Sequence, residues 1–206
     1  DRDSVEYGQF EEIDRWALIR LDDIAAEVSE AYESFTFHEA FHRMHQFCVV
    51  DLSNFYLDVL KDRLYVEKAD SVTRRAAQTA IYRILHALTR LIAPILAYTS
   101  EEIWSYLPHG KGDDLRSVLF NDMPKSDHAI KDTAFMERWD RIRVLRNDVQ
   151  KALEIARTQK VIGGSLDAQV TLHCIGATLS FVRGIQEMLP AVLIVSKVDV
   201  TDGESG

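Results

Sequence analysis

The first residues whose types and spacing could support catalysis are HEAFH at positions 38–42, which match the HExxH pattern of zinc proteases. Two histidines four residues apart share one helical face, where they can bind a metal while the glutamate acts as general base. His42 is followed by RMHQFC, which supplies no third ligand in the usual downstream context, and Phe41 and Phe47 are expected in the core. A chain with 7 histidines in 206 residues can produce this match by chance, so we expect no metal site here.

Other catalytic patterns are missing from the sequence. The glycines form no phosphate-binding loop, and Gly163 and Gly164 are interpreted as a helix stop. No nucleophile elbow is present. Cys48 and Cys174 are far apart and belong to no CxxC pair, so both are expected to be small buried side chains. We therefore expect neither catalytic residues nor a cofactor in the chain as given, which favours a binding module.

The first 66 residues predict an antiparallel helical hairpin. One amphipathic helix is expected over residues 10–33, and a second over residues 38–66, because no proline or glycine interrupts it. Ser34 and Thr36 supply the turn between them, so the start of the first helix should lie beside the end of the second. The predicted buried stripe of the first helix consists of Ile13, Ala17, Leu21, Ile24, Val28, Ala31 and Phe35.

A third helix is predicted from a similar apolar spacing. Its buried residues are expected to be Ala77, Ile81, Ile84, Leu88, Leu91 and Ile95, with Arg75, Arg83 and Arg90 on the opposite, basic face. Pro94 should kink this helix, and a capping box of Thr99 and Glu102 should restart a short helix through Trp104 and Leu107.

The remaining chain predicts a long connection, a fourth helix and a small α/β element. Residues 108–133 read as the connection, with SVLF as an extended piece. The fourth helix should begin near Asp132 or Thr133 and end at the two glycines, burying Phe135, Trp139, Ile142, Leu145, Val149, Ala152 and Ala156. Residues 168–174 and 192–200 are strand-like, with a helical stretch over 178–189 between them.

These elements define the predicted fold class and domains. The fold is expected to be mainly α, with an antiparallel four-helix bundle over residues 1–160 and a small, truncated α/β element over 161–206.

Charge is distributed unevenly along the chain. The net charge is −9, and residues 1–70 contain 17 acidic and 7 basic residues, whereas residues 71–107 and 134–160 are mildly basic. Composition alone argues against a nucleic-acid partner, but binding depends on local patches, which leaves that class open. The acidic start lacks the features of a secretory signal and no apolar run is long enough to span a membrane, so we expect a cytoplasmic location.

The segment LSNFYLDVLKDRLY at residues 52–65 combines an apolar arc with a polar ridge. On a helical wheel the ridge consists of Asn54, Asp58, Lys61, Asp62 and Tyr65. One interpretation is a solvated face with local ion pairs. The other is a contact surface on which Tyr65 stacks and Lys61 and Arg63 meet phosphates or base edges. Wheel geometry alone leaves both open and favours the solvated face.

Four strings in this order resemble the anticodon-binding region of isoleucyl-tRNA synthetases: DRWAL at 14–18, LSNFYLDVLKDRLY, IAPILAYTSEEIWSYL at 92–107 and KVIGGSLDAQVTL at 160–172. The KDRLY string favours the isoleucyl enzymes over their valyl and leucyl relatives. The resemblance implies a tRNA-binding helical bundle cut from a longer ligase, with isoleucine tRNA and the other domains of that synthetase as partners, in a monomeric enzyme. A valyl or leucyl relative and a helical protein-interaction scaffold remain the alternatives.

The resemblance also implies which chemistry lies elsewhere. The parent ligase would use ATP and Mg²⁺ in a nucleotide-binding domain with HIGH and KMSKS signatures, and would carry an editing domain and, in some members, a C-terminal zinc module. None of these features occurs in the present residues. By analogy with related synthetases, the tRNA-binding side chains are expected on the first helix and near the end of the second: Arg15, Trp16, Arg20, Tyr56, Lys61, Arg63 and Tyr65. The basic stripe of the third helix, Arg75, Arg83 and Arg90, is a second candidate for phosphate contact, although solvated basic faces without a ligand are common.

Overall fold

The computed structural model describes residues 4–126 and 132–203. Most of these residues are helical, and the strands form a two-stranded parallel sheet near the carboxyl end, which confirms the predicted mainly α class with a small α/β element. The chain divides into two compact units, Asp1–Asp132 and Thr133–Gly206. The boundary between these two units follows Asp132. The domain division expected from the sequence follows residue 160 and remains a prediction.

Helix α1 spans Glu12–Glu33 and buries most of its predicted stripe. The exception is Phe35, which is 79% exposed, so its predicted burial is wrong. Phe35 follows the helix end and has φ 59°, a left-handed conformation that turns the chain and takes the ring off the stripe. The Ser34 hydroxyl donates to the Glu30 carbonyl at 2.8 Å, and the Thr36 N–H donates to the Ala31 carbonyl at 2.8 Å, which completes the predicted turn.

The return arm of the hairpin is helical over nearly the predicted range but is not one regular helix. It consists of α2 (Phe37–Gln46), a π-helix (Phe47–Tyr56), α3 (Leu57–Val59) and α4 (Lys61–Tyr65). The wider turns of the π-helix bury Asp51, Leu52, Phe55 and Tyr56.

The two phenylalanines predicted as core in this arm have different surroundings. Phe47 is fully buried, whereas Phe41 is 45% exposed, so the prediction for Phe41 is wrong. The buried residues of α2 are Ala40 and Met44, and Phe41 lies about 100° around the helix from Ala40.

Helix α5 spans Val72–Ile92, with the Ser71 hydroxyl accepting from the Arg74 N–H as its cap. The chain turns through residues 93–96 and restarts as α6, Ala97–Tyr106. The predicted capping box is wrong, because Thr99 lies inside the first turn of α6. The N-cap position is occupied by Leu96, whose side chain makes no capping hydrogen bond. Ile95, which was predicted to be buried, falls in this turn and is 37% exposed. Helix α5 ends at Ile92, before Pro94, so the buried stripe does not reach Ile95.

The connection after α6 adds Leu107 and Val118 to a small apolar cluster that also contains Ala93 and Trp104. Val118–Phe120 form a 3₁₀ turn, so the predicted extended piece SVLF is wrong. The Ser117 hydroxyl accepts from the Leu119 N–H at 3.1 Å, which favours a turn and leaves Val118 buried.

Helix α7 of the second unit spans Thr133–Thr158 and buries Trp139, Ile142, Val149 and Leu153. Ala152, predicted as buried, is exposed. The helix ends before the two glycines, so they are not its stop. Lys160 takes the left-handed position with φ 58°, and the Val161 N–H donates to the Ala156 carbonyl at 2.9 Å.

The sheet of the second unit pairs β1 (Gln169–Cys174) with β2 (Lys197–Asp202) in parallel, with Gln169 opposite Lys197. Between the strands lie α8 (Gly176–Gly184), a 3₁₀ turn (Gln186–Met188) and α9 (Leu189–Leu193). The second strand therefore begins later than predicted, because the apolar residues before it form α9, which is closed by Ile194 in the left-handed conformation at φ 57°.

Candidate functional site

The start of α1 and the end of the return arm are joined by a buried group of three side chains, which we call the Asp14 cluster: Asp14, Tyr56 and Arg63. The Asp14 side chain is 0% exposed, and its Oδ1 accepts from the Tyr56 hydroxyl at 2.9 Å and from Arg63 Nη1 at 3.1 Å. Its Oδ2 accepts from Arg63 Nη2 at 2.8 Å. The carboxylate and guanidinium therefore form a two-bond fork, the strongest geometry for such a pair.

The electrostatics of the Asp14 cluster follow from its burial. Burial raises the pKa of Tyr56 well above its ordinary value, and the adjacent Asp14 carboxylate raises it further. Arg63 Nη2 also donates to the Thr73 carbonyl, and only 16% of the Arg63 side chain is exposed. The cation predicted to meet RNA is therefore already neutralised within the fold.

The two aromatic residues predicted for this corner are also internal. Trp16 is fully buried and packs edge-on against Phe55, with ring centroids 4.9 Å apart. Tyr56 is fully buried as well. In this conformation neither ring is accessible to a base, so their place is in the support of the corner.

Two of the predicted residues in α4 face outward. Tyr65 is 82% exposed. The Lys61 side chain is 66% exposed, and its ammonium donates to Asp58 Oδ1 at 2.7 Å, a hydrogen bond that raises the pKa of Lys61. An exposed ring beside an exposed ammonium can stack on an unpaired base and attract its phosphate.

The two arginines of α1 occupy intermediate positions. Arg20 donates to Asp51 Oδ2 through Nη2 at 3.1 Å and lies 3.5 Å from Asp23. Arg15 is half-buried near the start of the helix, one residue after Asp14. The corner thus contains several cations, and Arg20, Lys61 and Arg63 each have a carboxylate partner.

The three arginines of α5 that were predicted to bind RNA do not all lie at this corner. Arg75 is half-buried close to Thr73, which contacts the Asp14 cluster. Measured along the helix axis from Thr73, Arg83 lies about 15 Å away and Arg90 about 26 Å away, at a rise of 1.5 Å per residue. The structure therefore separates the ten predicted residues into a corner and a distant basic stretch.

Arg83 and Arg90 line an open groove of about 700 Å³ whose floor includes Leu18, Leu21 and Ala87. Arg83 is exposed, with its Cζ 5.2 Å from the centroid of the Phe10 ring. Arg90 donates to the Asp122 carbonyl at 3.1 Å, and burial lowers its pKa. Asp22 and Asp122 also line the groove, so its charge is mixed.

The HEAFH residues lie on α2, with His38, Glu39 and His42 all exposed. Within residues 4–126 and 132–203, no group of three or more His, Cys, Asp or Glu side chains is arranged to hold a metal ion. Within the same ranges, no helix has the length and apolarity needed to cross a membrane.

Sequence reasoning did not identify Asp14 as a central residue. It stands in the quoted DRWAL string, directly after the buried Ile13, and this position on the edge of an apolar stripe was the available signal. A carboxylate at such a position needs a buried partner, which a wheel of its own helix cannot supply.

Comparisons with known proteins agree with the strings noted in the sequence. A family model described as the anticodon-binding domain of tRNA ligase matches residues 14–172. The isoleucine–tRNA ligase of Syntrophotalea carbinolica is 49% identical over 202 residues, 98% of this chain and 22% of that protein.

Two further isoleucine–tRNA ligases show similar agreement. That of Carboxydothermus hydrogenoformans is 48% identical over 99% of this chain and 22% of its own length. That of Thermoanaerobacter sp. strain X514 is 46% identical over 96% of this chain and 21% of its own length. The chain thus spans about a fifth of the length of these relatives.

Proposed function

Because the chain belongs to the family of anticodon-binding domains of tRNA ligases, we propose that it is the anticodon-recognition module of an isoleucine–tRNA ligase. The isoleucine assignment is supported by relatives of that name that match 96–99% of the chain. The complete enzyme would attach isoleucine to its tRNA with ATP, and the present residues would supply RNA binding. A valyl or leucyl relative is less well supported, because the similar proteins reported above are isoleucine–tRNA ligases.

The observation that carries this proposal is the exposed pair Lys61 and Tyr65 on α4, beside the start of α1. Tyr65 offers a ring face for an unstacked loop base, and base–aromatic stacking is worth about 1–3 kcal/mol. Lys61 offers a positive charge for the RNA backbone. Both groups reach solvent on α4, which the ion pair of Arg63 with Asp14 joins to α1.

The remaining predicted residues divide by accessibility. Arg15, Arg20 and Arg75 are proposed as further backbone contacts near the corner, and Arg83 and Arg90 as phosphate contacts along α5. Trp16, Tyr56 and Arg63 are proposed to support the corner from beneath, since direct contact with RNA would require them to leave buried positions.

The proposed partners and cofactors follow from the family. Isoleucine tRNA and the other domains of the same ligase would be the partners, in a monomeric, cytoplasmic enzyme. ATP and Mg²⁺ would bind outside this chain, and so would any zinc held by a C-terminal module.

A second surface favours a protein contact, the class of the scaffold alternative. Phe35 and Phe37 form an exposed pair at the turn between α1 and α2, with ring centroids 6.1 Å apart, and Tyr32 lies 6.0 Å from Phe37. We call these three residues the aromatic turn. Exposed apolar groups of this kind are typical of protein interfaces, and the remainder of the ligase is the partner that we propose for it.

The proposal can be tested in the complete ligase by replacing the two exposed residues together, Lys61→Ala with Tyr65→Ala. Filter binding should show at least about tenfold weaker affinity for isoleucine tRNA, because a stacking contact and a phosphate contact are lost. Tyr98→Ala is the matched control, since it removes an exposed ring from α6, outside both proposed surfaces, and should leave tRNA affinity unchanged. Unchanged affinity in the double variant would overturn the assignment of this corner.

A further inference from the structure

The strings DRWAL and KDRLY, which are 49 residues apart at Asp14 and Arg63, meet in space through one carboxylate. Asp14 comes from the first string and Arg63 from the second, and Tyr56 comes from the LSNFY segment between them. Each of these residues contributes a polar atom to the same buried group. Their shared feature is therefore a contact within the fold.

Helix α4 carries Lys61 and Tyr65 at the end of the return arm. Its backbone continues that arm through Leu60, whose N–H donates to the Tyr56 carbonyl at 3.1 Å and whose carbonyl accepts from the Leu64 N–H at 3.0 Å. The fully buried Leu60 side chain fixes the start of α4, but none of the five residues of α4 is itself fully buried. The orientation of the far end of α4 therefore depends on polar contacts that its side chains make with other helices.

Arg63 supplies those contacts from the middle of α4. Its two terminal nitrogens bond both oxygens of Asp14 on α1, and Nη2 also donates to the carbonyl of Thr73 on α5. A planar fork bound at both nitrogens fixes direction as well as distance, which a single point charge does not. Three elements are thereby joined through one guanidinium, directly below the exposed residues.

We propose that the Asp14 cluster positions α4, so that Asp14, Tyr56 and Arg63 act on tRNA binding through Lys61 and Tyr65 without touching the RNA. This inference rests on the proposed function of the corner. A buried ion pair is weak support for stability, since apolar replacements of similar volume are often as stable, whereas it specifies geometry well. Asp14 and Arg63 are positioning residues in this account.

The primary test is Asp14→Asn in the complete ligase. Asparagine keeps the size of the side chain but loses the charge and one acceptor oxygen of the fork. The KM for isoleucine tRNA in aminoacylation should rise about tenfold, equivalent to 1.4 kcal/mol, while activation of isoleucine by ATP without tRNA stays unchanged. Glu101→Gln is the matched control, because Glu101 is a half-buried carboxylate on α6 that accepts hydrogen bonds from the Ser117 hydroxyl and from the Val118 N–H at 3.4 Å. It should leave the KM for tRNA unchanged.

Two milder variants cover the case in which Asp14→Asn does not fold. Tyr56→Phe keeps the ring and removes one donor, and should raise the KM for tRNA by about threefold, since one hydrogen bond is worth about 0.5–1.5 kcal/mol. Arg63→Lys keeps the charge and removes the fork, and should raise the KM as much as Asp14→Asn does. Equal KM values in these variants and the parent enzyme would overturn the proposal.

A double-variant cycle separates this inference from the proposed function. If the Asp14 cluster acts through α4, adding Lys61→Ala and Tyr65→Ala to Asp14→Asn should raise the KM for tRNA by less than the product of the separate effects. Full multiplication of the effects would overturn the positioning role. If Lys61→Ala with Tyr65→Ala alone leaves the KM unchanged, the proposed function of the corner fails, and the positioning role fails with it.

Discussion

The two ends of the α1–α2 hairpin present opposite surfaces. At one end, the Asp14 cluster neutralises Arg63 inside the fold, and Lys61 and Tyr65 face solvent. At the other end, about 33 Å away along the 22-residue α1, Phe35 and Phe37 are exposed. At the polar end the Arg63 guanidinium is paired inside the fold, whereas at the apolar end the rings of Phe35 and Phe37 are exposed.

This contrast shows that residue type is a poor guide to which side chains can contact a partner. Arg63, Tyr56 and Trp16 belong to classes that commonly contact nucleic acid. The fold nevertheless buries Tyr56 and Trp16 and leaves only 16% of the Arg63 side chain exposed. Phe35 belongs to a class that is usually buried, yet its left-handed backbone leaves it exposed. A side chain is available to a partner only if it is not already engaged in a contact within the fold.

The largest expected effect separates the two ends by stability. Asp14→Ala should lower the free energy of unfolding by about 3–5 kcal/mol, because it leaves the Arg63 guanidinium buried without its carboxylate. Phe35→Ala at the other end should change it by less than about 0.5 kcal/mol, as an exposed substitution. Urea denaturation of the 206-residue chain, followed by far-UV circular dichroism, measures both. Equal effects would remove the distinction between the ends.

The next effect concerns stacking by Tyr65. In the complete ligase, Tyr65→Ala should weaken isoleucine tRNA binding by about 1–3 kcal/mol, whereas Tyr65→Phe, which keeps the ring, should bind nearly as the parent does. Filter binding at one fixed salt concentration provides the measurement. If the phenylalanine variant loses as much affinity as the alanine variant, the hydroxyl and not the ring makes the contact.

A smaller effect should appear in the salt dependence of binding. Lys61→Ala should reduce the slope of log affinity against log salt concentration by about 1, since one phosphate contact is removed. Lys197→Ala is the matched control, because Lys197 is likewise exposed and paired with a nearby carboxylate, Asp199 at 2.9 Å. An equal reduction in both variants would show that the slope reports net charge and no specific contact.

The smallest effect concerns Asp113, a carboxylate that lies outside the two ends of the hairpin and is compared with Asp14. Burial raises its pKa, but hydrogen bonds from the Gly110 N–H and from His86 outweigh that effect, so the pKa lies below its ordinary value. A carboxyl with a lowered pKa in the folded state contributes stability above its unfolded pKa of about 3.9, and this contribution is lost as the pH falls through the folded value.

Asp113→Asn should therefore flatten the loss of unfolding free energy on acidification below about pH 4. Asp70→Asn, a change at an exposed carboxylate, is the comparison variant. Urea denaturation at a series of pH values measures both curves. Identical acid profiles for Asp113→Asn and the parent chain would contradict the role assigned to the hydrogen bonds from Gly110 and His86.

Much of the fold was predictable because it depends on local periodicity. The apolar spacing predicted α1, the helical return arm, α5 and α7, and it predicted burial of Trp139 and Ile142. Element ends were predicted less well. Gly163 and Gly164 are strong helix-stop residues, yet Lys160 takes the left-handed position first. Helix α9, which ends at Leu193 and is followed by Ile194 in the left-handed conformation, replaces the start of the second predicted strand.

The candidate site was predictable as a region and only partly as a set of residues. The hairpin argument correctly placed the start of α1 beside the end of the return arm, where Arg63 and Asp14 meet. The pairing of Arg63 with Asp14 could not be predicted, because a helical wheel describes one helix and contains no information about the facing one.

By itself the sequence determined the helical class, the antiparallel hairpin and the strings shared with isoleucine–tRNA ligases, since these depend on spacing and identity along one chain. Only the tertiary structure decided that Asp14, Tyr56 and Arg63 satisfy one another and that Lys61 and Tyr65 remain exposed. The physical reason is that a buried charge must find its partner across the fold, and this pairing determines which charges are left for a ligand.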